Sequence, residues 1–313
     1  MTTSLKGKDI LHGNQFSKKD IEAILKTAAY FEKELRKMDQ VPLLKGKILA
    51  TLFYEPSTRT RLSFEASMQR LGGGVISMGA VESSSVAKGE SLPDTVRTVA
   101  QYADVIVIRH PKIGSAKEAA DAVSVPVLNA GDGAGQHPTQ ALLDLYTIKK
   151  ELGSLNHLRI SLAGDLKNGR TVHALVEVLS LFGAKFYFVS PDLLRMPEEI
   201  PARLRQKGAE IIETPDMRLA AKNSDLIYMT RIQKERFTDL SEYEKVQGSY
   251  VIDESFLKEI NQKIVILHPL PRVNEISPAV DAFPGAAYFR QVRNGIYVRM
   301  ALLTMVMGKT VKA

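Results

Sequence analysis

At 313 residues, the chain is long for a single hydrophobic core, so two domains are expected. Its 44% hydrophobic and 25% charged residues are typical of a globular protein, and the absence of cysteine excludes disulfides, thiolate metal ligands and a cysteine nucleophile. The net charge of +7 is scattered along the chain without a nucleic-acid-binding motif, and small anionic substrates account for it equally well. No apolar run is long enough to cross a bilayer and residues 1–7 hold no hydrophobic signal core. We therefore expect a cytoplasmic protein that binds neither membranes nor nucleic acid.

Apolar runs of strand length alternate along the chain with stretches of helical periodicity. Strands are predicted over 47–54, 75–78, 104–108, 125–130, 158–163, 185–190, 209–213, 225–229 and 264–267. Helices are predicted over 17–38, 57–70, 92–102, 115–122, 139–150, 171–182, 198–207, 216–222 and 292–307. A turn cluster at 153–156 separates two such series. The alternation predicts an α/β fold of two domains, each a parallel sheet with helices on both faces, joined by long connecting helices.

The strongest local signal lies where the first predicted strand meets the second predicted helix. Glu55 and Pro56 stop the strand, and the segment that follows is Ser57-Thr58-Arg59-Thr60-Arg61. A helix N-terminus offers free backbone N–H groups, and here Ser57 or Thr58 can cap it while two arginines add positive charge. A capped helix with two solvated arginines is the simpler alternative. The density of hydroxyls and guanidinium groups favours a phosphate-binding site.

Other polar clusters also follow predicted strands, but each is a weak signal by itself. Arg109, His137, Arg170 and Arg231 are each more often surface charges, helix caps or ion-pair partners than ligand contacts. Ligands of parallel sheets bind outside the carboxyl ends of the strands, so their convergence there favours an anion site. No metal-ligand or Ser/His/Asp spacing is present. A polar loop over 82–91 is predicted to be flexible.

Three motifs resemble the signatures of the aspartate and ornithine carbamoyltransferases. They are Ser57-Thr58-Arg59-Thr60-Arg61, His137-Pro138-Thr139-Gln140 and His268-Pro269-Leu270-Pro271-Arg272, called here the 57–61, 137–140 and 268–272 motifs. The resemblance spans nearly the whole chain. Ornithine enzymes carry a cysteine at the position of Pro269, so the third motif favours the members that act on aspartate. Thr230-Arg231-Ile232-Gln233 and Gly164-Asp165-Leu166-Lys167 match the same members.

The resemblance implies transfer of the carbamoyl group of carbamoyl phosphate to the amine of L-aspartate. The products would be N-carbamoyl-L-aspartate and phosphate, in de novo pyrimidine (UMP) biosynthesis, with no cofactor and no metal. It also implies a carbamoyl phosphate-binding domain over 1–138, completed by a last helix at about 292–313, and an aspartate-binding domain over 139–291. Two alternatives are a carbamoyltransferase for ornithine or N-acetylornithine and a non-catalytic binding protein. The sequence disfavours both, because Arg231 and Gln233 suit aspartate and the phosphate-binding set is intact.

The same resemblance assigns roles to individual residues. The catalytic set would be Arg59, Thr60, Arg109, His137 and Lys88. Carbamoyl phosphate would contact Ser57, Thr58, Arg59, Thr60, Arg109, His137, Gln140, Pro269 and Leu270. Aspartate would contact Arg170, Arg231 and Gln233. Glu55 and Arg236, together with Arg170, would stabilise domain closure.

In this family the loop matching 82–91 reaches into the active site of a neighbouring chain. Lys88 matches the lysine of that loop, and Ser84 is the best match for its serine, with Ser83 and Ser85 as alternatives. Lys88 would contact aspartate and Ser84 carbamoyl phosphate, each from the neighbouring chain. The resemblance therefore implies a homotrimer with shared active sites, and it allows a dodecamer with regulatory chains. Asn168 stands where relatives often have a tyrosine.

Overall fold

The computed structural model describes residues 5–78, 85–133, 135–260 and 263–311, and it divides into two compact units. Unit 1 contains residues 1–146 and 292–313, and unit 2 contains residues 147–291. Both crossings between the units fall inside helices, Pro138–Leu152 and Tyr288–Val306. Within the described part of the chain, no helix is both long enough and apolar enough to span a membrane.

Unit 1 is built on a parallel sheet of four strands in the described residues, in the order β2-β1-β3-β4. The strands are β1 (Ile48–Phe53), β2 (Gly74–Ser77), β3 (Val105–His110) and β4 (Val127–Asp132). The helices are α1 (Lys18–Glu34), α2 (Thr58–Arg70), α3 (Leu92–Val99), α4 (Ser115–Ala122), α5 (Pro138–Leu152) and α11 (Tyr288–Val306). Every residue of β4 is buried, as expected for a parallel sheet covered by helices.

Unit 2 holds a second parallel sheet, with five described strands in the order β7-β6-β5-β8-β9. The strands are β5 (Arg159–Ala163), β6 (Lys185–Val189), β7 (Ile211–Thr214), β8 (Leu226–Met229) and β9 (Val265–Leu267). The helices are α6 (Arg170–Ser180), α7 (Glu199–Gln206), α8 (Met217–Lys222), α9 (Leu240–Val246) and α10 (Glu254–Glu259). The strand order changes direction beside β5, and the segments after β5, β8 and β9 leave the sheet at the same edge.

The α/β fold with two parallel sheets flanked by helices confirms the prediction from the sequence. The sequence did not predict α9 and α10, which are short and begin at aspartate caps, Asp239 and Asp253. The first helix ends at Glu34 rather than near residue 38, and α11 begins at Tyr288 rather than at 292. Helix termini are the least determined part of a periodic pattern, because the last turn has few partners to pack against.

Candidate active site

The 57–61 motif lies between the end of β1 and the first turn of α2. Ser57 is the N-cap residue of α2, yet its side chain makes no capping hydrogen bond, in contrast to the expectation that it caps the helix. Thr60 is buried, whereas Thr58 and Arg59 are exposed. The helix N-terminus thus presents a hydroxyl that is not used for capping, next to backbone N–H groups and a guanidinium group.

The second arginine of this motif forms an ion pair within α2, and it is not among the residues predicted to contact carbamoyl phosphate. Arg61 Nε donates to Glu65 Oε1 at 2.9 Å on the next turn of α2. Glu65 also accepts hydrogen bonds from Thr51 on β1 and Ser77 on β2, so Arg61 helps to fix α2 against the sheet. Burial alone would raise the pKa of Glu65, but these three hydrogen bonds lower it below its ordinary value.

Arg109 lies near the end of β3, beside the end of β1. The register pairs it with Phe53, and the backbone N–H of Tyr54 donates to the carbonyl of Arg109 at 2.8 Å. Its guanidinium group lies 3.3 Å from Glu55 Oε2 and donates to the carbonyl of Ala130 on β4 at 3.4 Å. Arg109 therefore connects the ends of all three strands β1, β3 and β4. Glu55 contacts Arg109 within unit 1, and its pairing with Arg170 and Arg236 stays a prediction.

The 137–140 motif forms the turn from β4 into α5, and both of its site residues are buried. Asp132 anchors this turn by accepting hydrogen bonds from Gln136 N at 2.7 Å and Asn129 Nδ2 at 3.1 Å. His137 precedes α5, and the amide of Gln140, in the first helical turn, donates from Nε2 to Asp144 Oδ1 at 2.8 Å. The turn thus brings an imidazole and an amide to the same sheet edge as Arg109.

Unit 2 has a cavity of about 230 Å³ at the carboxyl end of its sheet. Among the residues that line it are Gly164 after β5, Arg231 after β8, Tyr243 on α9 and Glu275 after β9. Arg231 donates two hydrogen bonds to Glu235, one of them from Nη1 to Oε2 at 3.1 Å. That interaction raises the pKa of Arg231 against the effect of burial, so a permanent positive charge lies in the cavity wall.

The remaining predicted aspartate contacts lie around the same strands. Gln233 Nε2 donates to the carbonyl of Asn168 at 3.3 Å, which connects the segment after β8 to the segment after β5. Arg170, the first residue of α6, is half-buried, and Arg236 is exposed. Gly164 permits the segments after β5 and β8 to approach each other closely. Its φ is +112°, and a Cβ there would lie 2.2 Å from the carbonyl oxygen of Thr230.

The 268–272 motif follows β9 and is fixed by a buried His–Glu pair. His268 is 1% exposed, its Nε2 lies 2.8 Å from Glu275 Oε1, and its Nδ1 accepts from the N–H of Leu270 at 2.7 Å. Because Nδ1 is an acceptor, the proton is on Nε2, which donates to Glu275. Leu270 has a φ of +56°, which is unfavourable for a side chain larger than glycine and is common at binding sites.

Three residues that matter for this geometry were not found from the sequence. Glu275 orients His268, Asp144 orients Gln140, and Asp281 holds Arg272, whose Nη2 donates to Asp281 Oδ2 at 2.7 Å. For Asp144 a signal existed, because it lies four residues after Gln140 on a predicted helix and so on the same helix face. Glu275 lies in an irregular segment and Asp281 in a short 3₁₀ helix, Pro278–Ala282, so the spacing of these residues in the sequence does not predict where their side chains point.

The loop predicted to reach a neighbouring chain is only partly described. Ser83 and Ser84 lie outside the described residues, so the prediction for Ser84 has no structural counterpart. Residues Ser85–Lys88 form a single 3₁₀ turn, and Lys88 at its end is exposed. In the residues that the structure describes, no group of three or more His, Asp or Glu side chains is arranged to hold a metal ion.

Comparisons with known proteins match the two halves of the chain separately. Residues 8–150 match the family model "Aspartate/ornithine carbamoyltransferase, carbamoyl-P binding domain", and residues 156–306 match "Aspartate/ornithine carbamoyltransferase, Asp/Orn binding domain". The chain is 55% identical to the aspartate carbamoyltransferase catalytic subunit of Thermococcus onnurineus over 97% of its own length and 98% of that protein.

Two solved structures are similar over nearly the full chain. Aspartate transcarbamoylase of Trypanosoma cruzi, in complex with carbamoyl phosphate and aspartate, has a TM-score of 0.92 at 44% identity and covers 97% of this chain and 98% of that one. The catalytic subunit of M. jannaschii aspartate transcarbamoylase has a TM-score of 0.90 at 51% identity, and the match covers 96% of this chain and 98% of that one. These matches show that the chain belongs to the aspartate/ornithine carbamoyltransferase family.

Proposed function

We propose that the chain is an aspartate carbamoyltransferase that forms N-carbamoyl-L-aspartate and phosphate from carbamoyl phosphate and L-aspartate, in pyrimidine biosynthesis. The observation that carries this choice of substrate is the guanidinium group of Arg231 in the wall of the unit 2 cavity. A permanent cation at that position favours a second carboxylate and repels the side-chain ammonium group of ornithine.

Carbamoyl phosphate is bound by the residues at the strand ends of unit 1. Its phosphate accepts hydrogen bonds from the first turn of α2, from Ser57 and Thr58, and from Arg59, with Arg109 as a second guanidinium group. The hydroxyl of Ser57 makes no capping hydrogen bond to the helix, so it is available to a ligand, and this supports the assignment. A helix N-terminus and guanidinium groups together suit a dianion.

The transfer step needs donors for the carbonyl oxygen and acceptors for the NH₂ of the carbamoyl group. The aspartate amine attacks the carbamoyl carbon, a C–N bond forms, and the C–O bond to phosphate breaks. Thr60, Arg109 and His137 donate to the carbonyl oxygen as its charge increases, and each such donor contributes roughly 3–4 kcal/mol. The departing phosphate takes the proton from the amine, so no side chain is assigned as general base.

Gln140 and the carbonyls of Pro269 and Leu270 accept from the carbamoyl NH₂. The hydrogen bonds of His268 support this role for the loop, because they fix the peptide of Leu270 before substrate binds. Aspartate is held by Arg170, Arg231 and Gln233. Holding both reactants in position can lower the barrier by roughly 7–11 kcal/mol, which is more than any single donor contributes.

We further propose that the working form is a homotrimer in which Ser84 and Lys88 of one chain complete the site of the next. The exposed position of Lys88 on a short turn supports this, since such a lysine is available to a neighbouring chain. The carbamoyl phosphate-binding and aspartate-binding domains, closure through Glu55 and Arg236, and the cytoplasmic location stay predictions from the sequence. So does a dodecamer with regulatory chains.

The test is a side-by-side assay of the purified protein with carbamoyl phosphate and each of three amines. We expect ureido product with aspartate and none above background with ornithine or N-acetylornithine. Product with either of those two instead of aspartate would assign the chain to another carbamoyltransferase. Binding of phosphate without product from any amine would favour the non-catalytic alternative.

A further inference from the structure

The orientation of the Gln140 amide is set by a carboxylate one helical turn away. Gln140 is 9% exposed, and its Nε2 donates to Asp144 Oδ1 at 2.8 Å. An ionised carboxylate only accepts hydrogen bonds, so the NH₂ end of the amide must face Asp144. The oxygen Oε1, on the other side of the amide plane, is therefore directed away from Asp144.

Asp144 in turn interacts electrostatically with a buried arginine from α11. Arg299 is 3% exposed, and its guanidinium carbon lies 5.1 Å from the centre of the Phe64 ring on α2. Burial lowers the pKa of Arg299 to about 10, and the charge of Asp144 acts in the opposite direction, so Arg299 is a cation at neutral pH. The Arg299 cation and the Asp144 carboxylate therefore attract each other.

A glycine on α11, Gly295, leaves space for the guanidinium group of Arg299. A Cβ at Gly295, one turn earlier on α11, would lie 2.5 Å from Arg299 Nη1. Among the described residues, Nε of Arg299 has no hydrogen-bond partner. A buried arginine with an unsatisfied N–H is usually less stable than an apolar side chain of the same volume, so stability alone does not explain Arg299.

We propose that Asp144 and Arg299 are positioning residues that hold the Oε1 atom of Gln140 towards the carbamoyl NH₂ and so set the preference for a carbamoyl over an acetyl group. The proposal rests on the proposed function, in which Gln140 accepts from that NH₂. The proposal assigns a role to two further residues. They contact no substrate and act only by orienting the side-chain amide of Gln140.

Acetyl phosphate is the probe that distinguishes this role from a general structural one. It has the shape of carbamoyl phosphate, with a methyl group in place of the NH₂. The methyl group donates no hydrogen bond and leaves Oε1 of Gln140 unsatisfied, so a correctly oriented amide disfavours it. If the amide turned over, its own NH₂ would face the carbamoyl NH₂, and the preference would be lost.

The variant Asp144→Asn permits that turnover, because its side-chain NH₂ can donate to Oε1 of Gln140. The KM for carbamoyl phosphate and the inhibition constant for acetyl phosphate are measured, and their ratio gives the preference. We expect Asp144→Asn to reduce the preference by about tenfold, the effect of one lost hydrogen bond. Gln140→Ala should reduce it similarly, and Asp144→Asn should add nothing in the Gln140→Ala background.

In the single variant Asp144→Asn the buried charge of Arg299 is left without the opposing charge of Asp144, which can unfold the protein. The double variant Asp144→Asn with Arg299→Met, which removes the buried charge, is therefore made in parallel. Thermal unfolding with phosphate present shows which variants are folded. A folded variant with the wild-type preference, or losses that add to those of Gln140→Ala, would overturn the proposal. Unfolding of both variants would also overturn it, since the pair would then serve folding alone. Failure of the proposed function is a separate result, namely no aspartate-dependent product from the unmodified protein.

Discussion

Arginine side chains at the strand ends of this protein differ in function, and the difference lies in their surroundings. Arg61 and Arg272 each hold a carboxylate that fixes a helix or a loop, Glu65 and Asp281. Arg231 is also paired, with Glu235, but it lines a cavity that a small anion can enter. An ion pair alone therefore does not exclude a role in binding.

The roles proposed for Arg231 and Arg59 can be separated by kinetics. Arg231→Ala should raise the KM for aspartate about tenfold or more and change the KM for carbamoyl phosphate little, since a charged hydrogen bond contributes about 1.5–3 kcal/mol. Arg59→Ala should impair the use of carbamoyl phosphate instead. The control is Arg195→Ala, which removes an exposed surface pair with Asp192. Equal losses for both substrates in both variants would contradict this division.

Glu275 predicts a specific loss of stability in acid. Burial alone would raise its pKa, but hydrogen bonds from His268 and from backbone N–H groups lower it below the ordinary value of 4.5. A folded-state pKa below the unfolded one means that the carboxylate stabilises the fold above about pH 4.5. This stabilisation is lost as the pH falls through the folded-state pKa.

The prediction is tested by urea unfolding between pH 7 and acid. Glu275→Gln keeps an acceptor for His268 but does not titrate, so its stability should fall less steeply below about pH 4.5 than that of the unmodified protein. Glu244→Gln replaces an exposed carboxylate on α9 and should follow the unmodified protein. Parallel curves for all three proteins would show that Glu275 does not contribute.

At the scale of elements, the close approach of β5 and β8 makes Gly164 sensitive to a single methyl group. Gly164→Ala places its Cβ 2.2 Å from the carbonyl oxygen of Thr230, at a φ of +112°. We expect a loss of at least about 3 kcal/mol in the free energy of unfolding, because backbone atoms must move. Gly153→Ala is the matched control, with a φ of +79° and no atom within 4 Å of its Cβ. It should lose about 1 kcal/mol, and similar losses would argue against steric exclusion at Gly164.

The elements also show which parts of the fold are predictable from the sequence. Strands such as β3 and β9 are continuous apolar runs, because helices cover a parallel sheet, and their polar ends mark the site. In α9 and α10 only a few residues are buried, so they lack the apolar stripe that indicates a helix. The residue types of the candidate site and their positions at strand ends could be predicted from the sequence. Glu275, which orients His268, could not, since tertiary packing determines where its side chain points.

At the scale of the whole molecule, the proposed sharing of sites between chains predicts complementation. Lys88→Ala and Arg59→Ala proteins should each be nearly inactive. After mixing in equal amounts, dissociation and reassembly, about a quarter of the sites combine an intact Arg59 from one chain with an intact Lys88 from the next. Activity should rise towards about a quarter of the unmodified level. Mixed trimers seen by native mass spectrometry without any gain in activity would show that Lys88 does not act across chains.

The discontinuity of unit 1 has a consequence for synthesis on the ribosome. Unit 1 starts with the first residues of the chain but needs α11, which contributes fully buried side chains including Val298, Leu302 and Leu303. Unit 2 is one continuous segment that ends at residue 291, in the first turn of α11, so it can finish folding while the nascent chain still lacks the rest of that helix. The domain that is translated first is therefore completed last, and until then the apolar surface that α11 covers is open to chaperones.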